Sequence, residues 1–243
     1  MRLNTTLVVN PKGGCGKTTI AINLASAFAA DNIPATLMDY DPQGSSLTWV
    51  RSRSPQTARI HAANGAPEKF GRLRSFEMYV PPETRQLIID APAGSNGLLL
   101  NQMLERAHCV IVPVVPSVID IRATEAFIKD LLAMPKVRAG EARVGIVANK
   151  VRPSMPAYQP LLRFLVSMQT KLLARLLDSD MYVRGAEGGV GIFEMDPGQC
   201  AVERRQFAPI VDWVAGEKAP LPARTEPALQ VTPIRRISFL PRA

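Results

Sequence analysis

Residues 11–18 read Pro-Lys-Gly-Gly-Cys-Gly-Lys-Thr, and they separate two segments of opposite character. Before them, Thr5–Asn10 (TTLVVN) is a short β-branched, apolar run, which predicts a buried strand. After them, Thr18–Ala30 (TTIAINLASAFAA) places Ile20, Leu24, Ala27 and Phe28 at helical spacing. Strand, glycine-rich loop and helix in that order form the context of a phosphate-binding loop. Small residues let backbone N–H groups turn inward around an anion. The helix that starts near Lys17 aims its first amides at the same point. Lys17 adds a cation for the β- and γ-phosphates, and the Thr18 hydroxyl suits Mg²⁺. The general pattern is G-x-x-x-x-G-K-[ST]. Here Pro11 stands at its first glycine position and a second lysine, Lys12, follows at once. Gly13, Gly14, Cys15, Gly16, Lys17, Thr18 and Thr19 are the candidate nucleotide-binding residues.

Further along, apolar runs alternate with helical stretches. Ala35–Asp39, Leu87–Asp90, Val110–Val115, Val144–Asn149 and, more weakly, Leu172–Leu177 read as strands. Ile121–Met134, Pro160–Gln169 and Ala201–Val214 read as helices. Strands apolar on both faces, alternating with helices, predict an α/β fold: a mostly parallel, twisted sheet covered on both sides, the three-layer arrangement of P-loop NTPases. Ligands of such sheets bind beyond the carboxyl ends of the strands. Those ends carry polar punctuation here: PKGGCGKT, DYDPQ, DAPAG and NK, so several loops are expected to feed one site. One domain is expected over residues 1–215. Residues 216–243, rich in proline and basic side chains, read as an irregular tail.

Composition narrows the classes. Hydrophobic residues at 47% and charged residues at 21% exclude a wholly disordered chain or a fibre. No apolar run reaches the roughly 18 residues that span a bilayer, and the first residues do not read as a signal peptide. The three cysteines, Cys15, Cys109 and Cys200, are scattered and read as reduced thiols of a cytosolic protein. The net charge is +8, with the excess in residues 1–75 and 151–243 and balance between them. Such a chain suits a polyanionic partner, nucleic acid or an anionic membrane.

The loop KGGCGKTT resembles the deviant Walker A loop, K-G-G-x-x-K-[ST], of the ParA/MinD family of ATPases. The resemblance runs over about residues 3–215. It implies that Lys12 is the signature lysine. Two subunits then face each other across ATP, and each Lys12 reaches the phosphates bound by the other, as an arginine finger does. Asp39-Tyr40-Asp41-Pro42-Gln43 matches the family's D-x-D-P-Q. By that resemblance Asp39 supports Mg²⁺ and its waters, and Asp41 positions the attacking water. Lys12, Lys17 and Asp41 are then the catalytic set. Asp90-Ala91-Pro92-Ala93-Gly94 is similar to a Walker B and switch II segment, so Asp90 joins Thr18 and Asp39 as a metal residue and Gly94 offers an N–H to the γ-phosphate. Asn149, ending its strand, is expected at the adenine edge. Val112–Ser117 with Asp120 resembles an interface element.

The cysteines lack the C-x-x-C of cluster-binding relatives, which sets that branch of the family aside. Tyr182-Val183-Arg184-Gly185-Ala186-Glu187 resembles a late ParA segment whose arginine contacts DNA without sequence preference, so Arg184 is the matching residue. Arg204 and Arg205, after Asp196-Pro197-Gly198, are candidates for a second contact out of the family's register. MinD-like proteins instead end in an amphipathic helix for anionic lipid. Residues 233–242 are basic and apolar, but prolines at both ends leave little room for a helix. A separate operator-reading domain is not expected. The resemblance implies a ParA-type ATPase of the cytoplasm and nucleoid. ATP and Mg²⁺ would drive a homodimer onto non-specific DNA. A ParB-like or cargo-adaptor protein would stimulate hydrolysis, partitioning or positioning a plasmid, chromosome region or other cargo. The alternative is a MinD-like regulator at the membrane.

Overall fold

Short bunches of β-branched and aliphatic residues form the strands, and every strand pair runs parallel. The computed structural model describes residues 3–66, 77–168 and 170–216. Among these residues the order is β1 (Asn4–Val8), α1 (Lys17–Ala30), β2 (Ala35–Asp39), α2 (Ser45–Ser52), β3 (Ile60–Asn64), β4 (Gln86–Asp90), α3 (Gly97–Arg106), β5 (Cys109–Val114), α4 (Val118–Ala133), α5 (Pro135–Arg138), β6 (Arg143–Val151), α6 (Tyr158–Ser167), β7 (Lys171–Leu177), α7 (Asp180–Gly188) and α8 (Ala201–Ala215). The sheet order is β3-β2-β4-β1-β5-β6-β7. β1 pairs with β4 on one side and β5 on the other, so the first loop leaves the middle of the sheet.

Side chains alternate across each strand, and both faces are buried. Leu7, Met38, Ile89, Val110 and Ile146 point into one apolar layer with α3, α4 and α6. Their neighbours Val8, Leu37, Ile88, Ile111 and Val147 point into the other, with α1, α2 and α8. This is the three-layer α/β/α sandwich that the alternation predicts. The register sets Asp39 directly beside Asp90 and Val8 beside Asp90, so three strand ends stop together.

Six strands were legible, with ends shifted by one or two residues. The edge strand β3 was not, and neither were α2, α3 and α7. Arg184, expected just after a helical turn, stands inside α7. β6 runs past Asn149 to Val151, with a register irregularity between Ala148 and Val151 and a positive φ of 52° at Lys150. The expectations for residues 217–243 and for the Asp120 side chain lie outside the described residues.

α2 and α7 are fastened together under the second layer. Arg53, just past α2, meets Glu194 at 2.6 Å, with side chains only 5% and 8% exposed. The same guanidinium bonds the Gly189 and Ala58 carbonyls and lies 4.8 Å over the Trp49 ring. Trp49 Nε1 donates to the Gly185 carbonyl inside α7.

Candidate functional site

The loop from β1 to α1 is shaped by donors that take its carbonyls. Lys17 Nζ donates to the Lys12 carbonyl at 2.9 Å, Lys150 Nζ to Gly14 at 3.1 Å, and the Gly94 N–H to Pro11 at 2.8 Å. Asn149 Nδ2 donates to Cys15 at 2.9 Å. Gly16 starts α1 with φ 89°, and a Cβ there would lie 2.1 Å from Asn149 Nδ2. Only glycine fits, because both the left-handed backbone and the close amide forbid a side chain. Gly16 gives α1 no side-chain cap. The first-turn amides, from Lys17 to Thr19, therefore face out of the helix without an intrahelical acceptor, as an anion requires. Cys15 is buried in the loop and its Sγ lies 3.3 Å from the Lys12 carbonyl. Burial pushes its thiol upward, against the pull of Lys17, so the group is a neutral filler and not a reactive thiolate.

Two carboxylates sit side by side at the ends of β2 and β4, and the structure gives them different work. Asp39 is fully buried. Its Oδ1 accepts the Asp41 N–H at 2.9 Å, and its Oδ2 accepts the N–H groups of Ser46 and Leu47 at 3.0 and 3.3 Å. It therefore caps α2 from another element. That use refines the expectation of a metal-supporting role, because its oxygens already hold three amides. Asp90 differs. It is 1% exposed, and neither carboxylate oxygen has a partner in hydrogen-bonding geometry; the Ser46 hydroxyl is likewise unpartnered. Burial, and then the charge of Asp39, push Asp90 up to about 7, while Thr18, Lys17 and Ser46 pull it down. A buried carboxylate left unsatisfied beside Thr18 fits a divalent cation. Among the described residues no cluster of three His, Cys, Asp or Glu side chains could hold one alone. That donor set suits Mg²⁺, which takes one or two protein oxygens together with nucleotide phosphates and water. Asp41 is half-exposed, its Oδ1 accepting the Gln43 N–H at 2.9 Å.

A cavity of about 410 Å³ is walled by Thr19, Asn149, Leu177, Asp178, Tyr182 and Val183. Asn149, expected at an adenine edge, lines this cavity, but its amide is donated to the loop. Arg184 is exposed on the same helix as Tyr182 and Val183. Glu194 pairs with Arg53, and Glu203 accepts from the Ser179 hydroxyl at 2.6 Å. Arg204 is half-buried, its guanidinium 5.4 Å over the Phe193 ring, whereas Arg205 is exposed. Arg184 and the pair Arg204–Arg205 thus stand on two helices.

Asn10, Ser46, Lys150 and Asp178 were not read from the sequence as site residues. Asn10 had a signal: it directly precedes the loop, and a buried loop's amides need partners. Lys150 is the second residue of the strand-end NK, whereas Ser46 and Asp178 carry no local mark.

The CobQ/CobB/MinD/ParA nucleotide binding domain matches residues 6–180. Maintenance of carboxysome distribution protein A of Gloeobacter kilaueensis is 32% identical over 114 residues, covering 47% of this chain and 50% of that protein. The chromosome-partitioning ATPase Soj of Thermus thermophilus is 29% identical over 160 residues, covering 55% of this chain and 62% of that one. The chain thus spans about half to two thirds of the length of these relatives. Among solved structures, a variant of Cyanothece McdA in complex with ATP superposes with a TM-score of 0.66 over 90% of this chain and 98% of that one. At 15% identity this likeness speaks for the fold alone.

Proposed function

The chain belongs to the CobQ/CobB/MinD/ParA nucleotide-binding family, and from that premise we propose that it is a ParA-type ATPase that hydrolyses ATP as a dimer on DNA. The observation that carries the reading is the pair of lysines in one loop, Lys12 and Lys17, where a self-sufficient phosphate site needs only one. Lys17 and the first amides of α1 bind the β- and γ-phosphates of the chain's own nucleotide. Lys12 serves the nucleotide of the facing subunit, adding positive charge where charge develops during phosphoryl transfer. Asp41 orients the attacking water. Mg²⁺, when bound, neutralises phosphate charge, and Thr18 and Asp90 would hold it, with Asp39 bracing the loop beside them. The base lies in the cavity walled by Asn149, Tyr182 and Val183, next to Arg184.

That adjacency suits a nucleotide-gated DNA contact. In a dimer two copies of α7 present Arg184 to one duplex, giving salt-dependent, sequence-tolerant binding along the nucleoid. Arg204 and Arg205 add charge at the start of α8. A ParB-like or cargo-adaptor protein would stimulate hydrolysis and release in the cytoplasm. The named relatives act in carboxysome distribution and chromosome partitioning, and cargo positioning of that kind is the role we assign here.

The test is a DNA mobility shift run beside liposome sedimentation, each with a non-hydrolysable ATP analogue and with ADP. Size-exclusion chromatography follows the dimer in the same samples. The reading expects an analogue-dependent dimer that shifts DNA and leaves anionic liposomes unbound. Binding to liposomes with no DNA shift would replace it with a membrane-surface regulator.

A further inference from the structure

We infer that Asn10 is a positioning residue for Lys12, with Thr124 as its anchor; the inference rests on the proposed role of Lys12 across the dimer. The Asn10 side chain is 1% exposed, and both its Nδ2 hydrogens and its Oδ1 are bonded, to three different elements. Its Oδ1 accepts the Lys12 N–H at 3.0 Å. Its Nδ2 donates to the Pro113 carbonyl of β5 at 2.7 Å and to the Thr124 hydroxyl of α4 at 3.1 Å. Thr124 is itself 1% exposed. An asparagine bonding the amide two residues on is an ordinary turn device. Here the other end of that amide is clamped to residues more than a hundred positions away in sequence.

The clamp converges with three other constraints on the same peptide. Pro11 fixes its own φ. The Pro11 carbonyl accepts the Gly94 N–H, and the Lys12 carbonyl accepts Lys17 Nζ. Both backbone polar groups of Lys12 are therefore tied, to opposite sides of the loop. Lys17 needs no such device, because it rises from the first turn of a buried helix. Lys12 stands in a loop, and its long, unbranched side chain has many rotamers to choose among. A cation that must meet a phosphate on another subunit gains from a fixed Cα, since a displacement of about 1 Å at a catalytic group costs on the order of 100-fold in rate.

The experiment is a double-mutant cycle of wild type, Asn10→Ala, Lys12→Ala and the double variant. Single-turnover ATP hydrolysis is measured with protein in excess, and ADP affinity with a fluorescent ADP. Asn10→Ala is expected to slow turnover roughly 10- to 100-fold while ADP affinity stays within about threefold, the residual range for a site whose own contacts are intact. The double variant is expected to be no slower than Lys12→Ala alone. A wild-type rate in Asn10→Ala would overturn the inference. So would a loss of ADP affinity as large as the loss of rate, or effects of the two changes that multiply. A wild-type rate in Lys12→Ala would remove the trans lysine itself, and the inference with it; failure of Asn10→Ala alone leaves the lysine's role standing. If Asn10→Ala does not fold, Thr124→Val keeps the other two bonds of Asn10. A several-fold slowing that vanishes in the Lys12→Ala background supports the anchor, and an unchanged rate contradicts it.

Discussion

The Lys17 ammonium sits 2.9 Å from the Lys12 carbonyl, which fixes its charge at the centre of the loop before any phosphate arrives. Charge-assisted hydrogen bonds of this kind contribute about 1.5–3 kcal/mol. Lys17→Ala is therefore expected to weaken ATP binding by roughly 10- to 100-fold in a fluorescent-nucleotide titration; unchanged affinity would contradict the phosphate-loop assignment. Asp41 stands apart from that binding set, half-exposed beyond the strand end. Asp41→Ala should keep nucleotide affinity and the dimer but stall hydrolysis, as read by phosphate release, because only water positioning is removed. Asp90 makes a pH prediction. Its ordinary value is 3.8 and in the folded chain it lies near 7. Between those values the folded protein holds a proton that the unfolded chain has released. Its contribution to stability is full below about pH 4 and is lost as pH rises through about 7. The melting temperature of the nucleotide-free protein should thus fall by several degrees between about pH 5 and 8. Asp90→Asn should flatten that fall while losing the Mg²⁺ dependence of nucleotide binding. A pH profile identical to wild type would show that Asp90 is ionised throughout.

Legibility followed how local each element's cause was. β2, β4 and β5 were readable because burial on both faces makes each a continuous apolar run. β3, with the sequence IHAAN at the sheet edge, is half-covered, and its composition alone carries no strand signal. α2 begins without a local cap; its cap is Asp39, at the end of the preceding strand. α7 did have a readable start, since the Ser179 hydroxyl accepts the Met181 N–H, but its nine residues are too few for a clear period. The phosphate loop was legible because one contiguous segment builds it. The clamp on Asn10 and the donation from Asn149 to Cys15 join residues more than a hundred positions apart, and no local pattern encodes them. The same holds for the Arg53–Glu194 pair that binds the end of α2 to the turn after α7. Removing one partner of a buried pair leaves a bare charge, at a cost of about 3–5 kcal/mol. Glu194→Ala should accordingly lower the melting temperature by roughly 10 °C. A shift within a degree or two would mean that water reaches Arg53 and replaces the carboxylate.

At the scale of the whole molecule, one face of the sheet's carboxyl edge gathers the phosphate loop, the Asp39–Asp90 pair and the cavity beside Asn149, and α7 carries both Tyr182 of that cavity and the exposed Arg184. In the proposed cycle, nucleotide on one side of α7 governs DNA on the other. The direct measurement is a salt titration of DNA affinity, with a non-hydrolysable ATP analogue and with ADP, for wild type and Arg184→Glu. Wild type is expected to bind tightly only with the ATP analogue, with a log–log salt slope that shows several phosphate contacts per dimer. Arg184→Glu is expected to lose that binding while its affinity for the nucleotide is unchanged. Equal DNA affinity and equal salt slope for the two proteins, or wild-type binding that is the same with ADP, would contradict it.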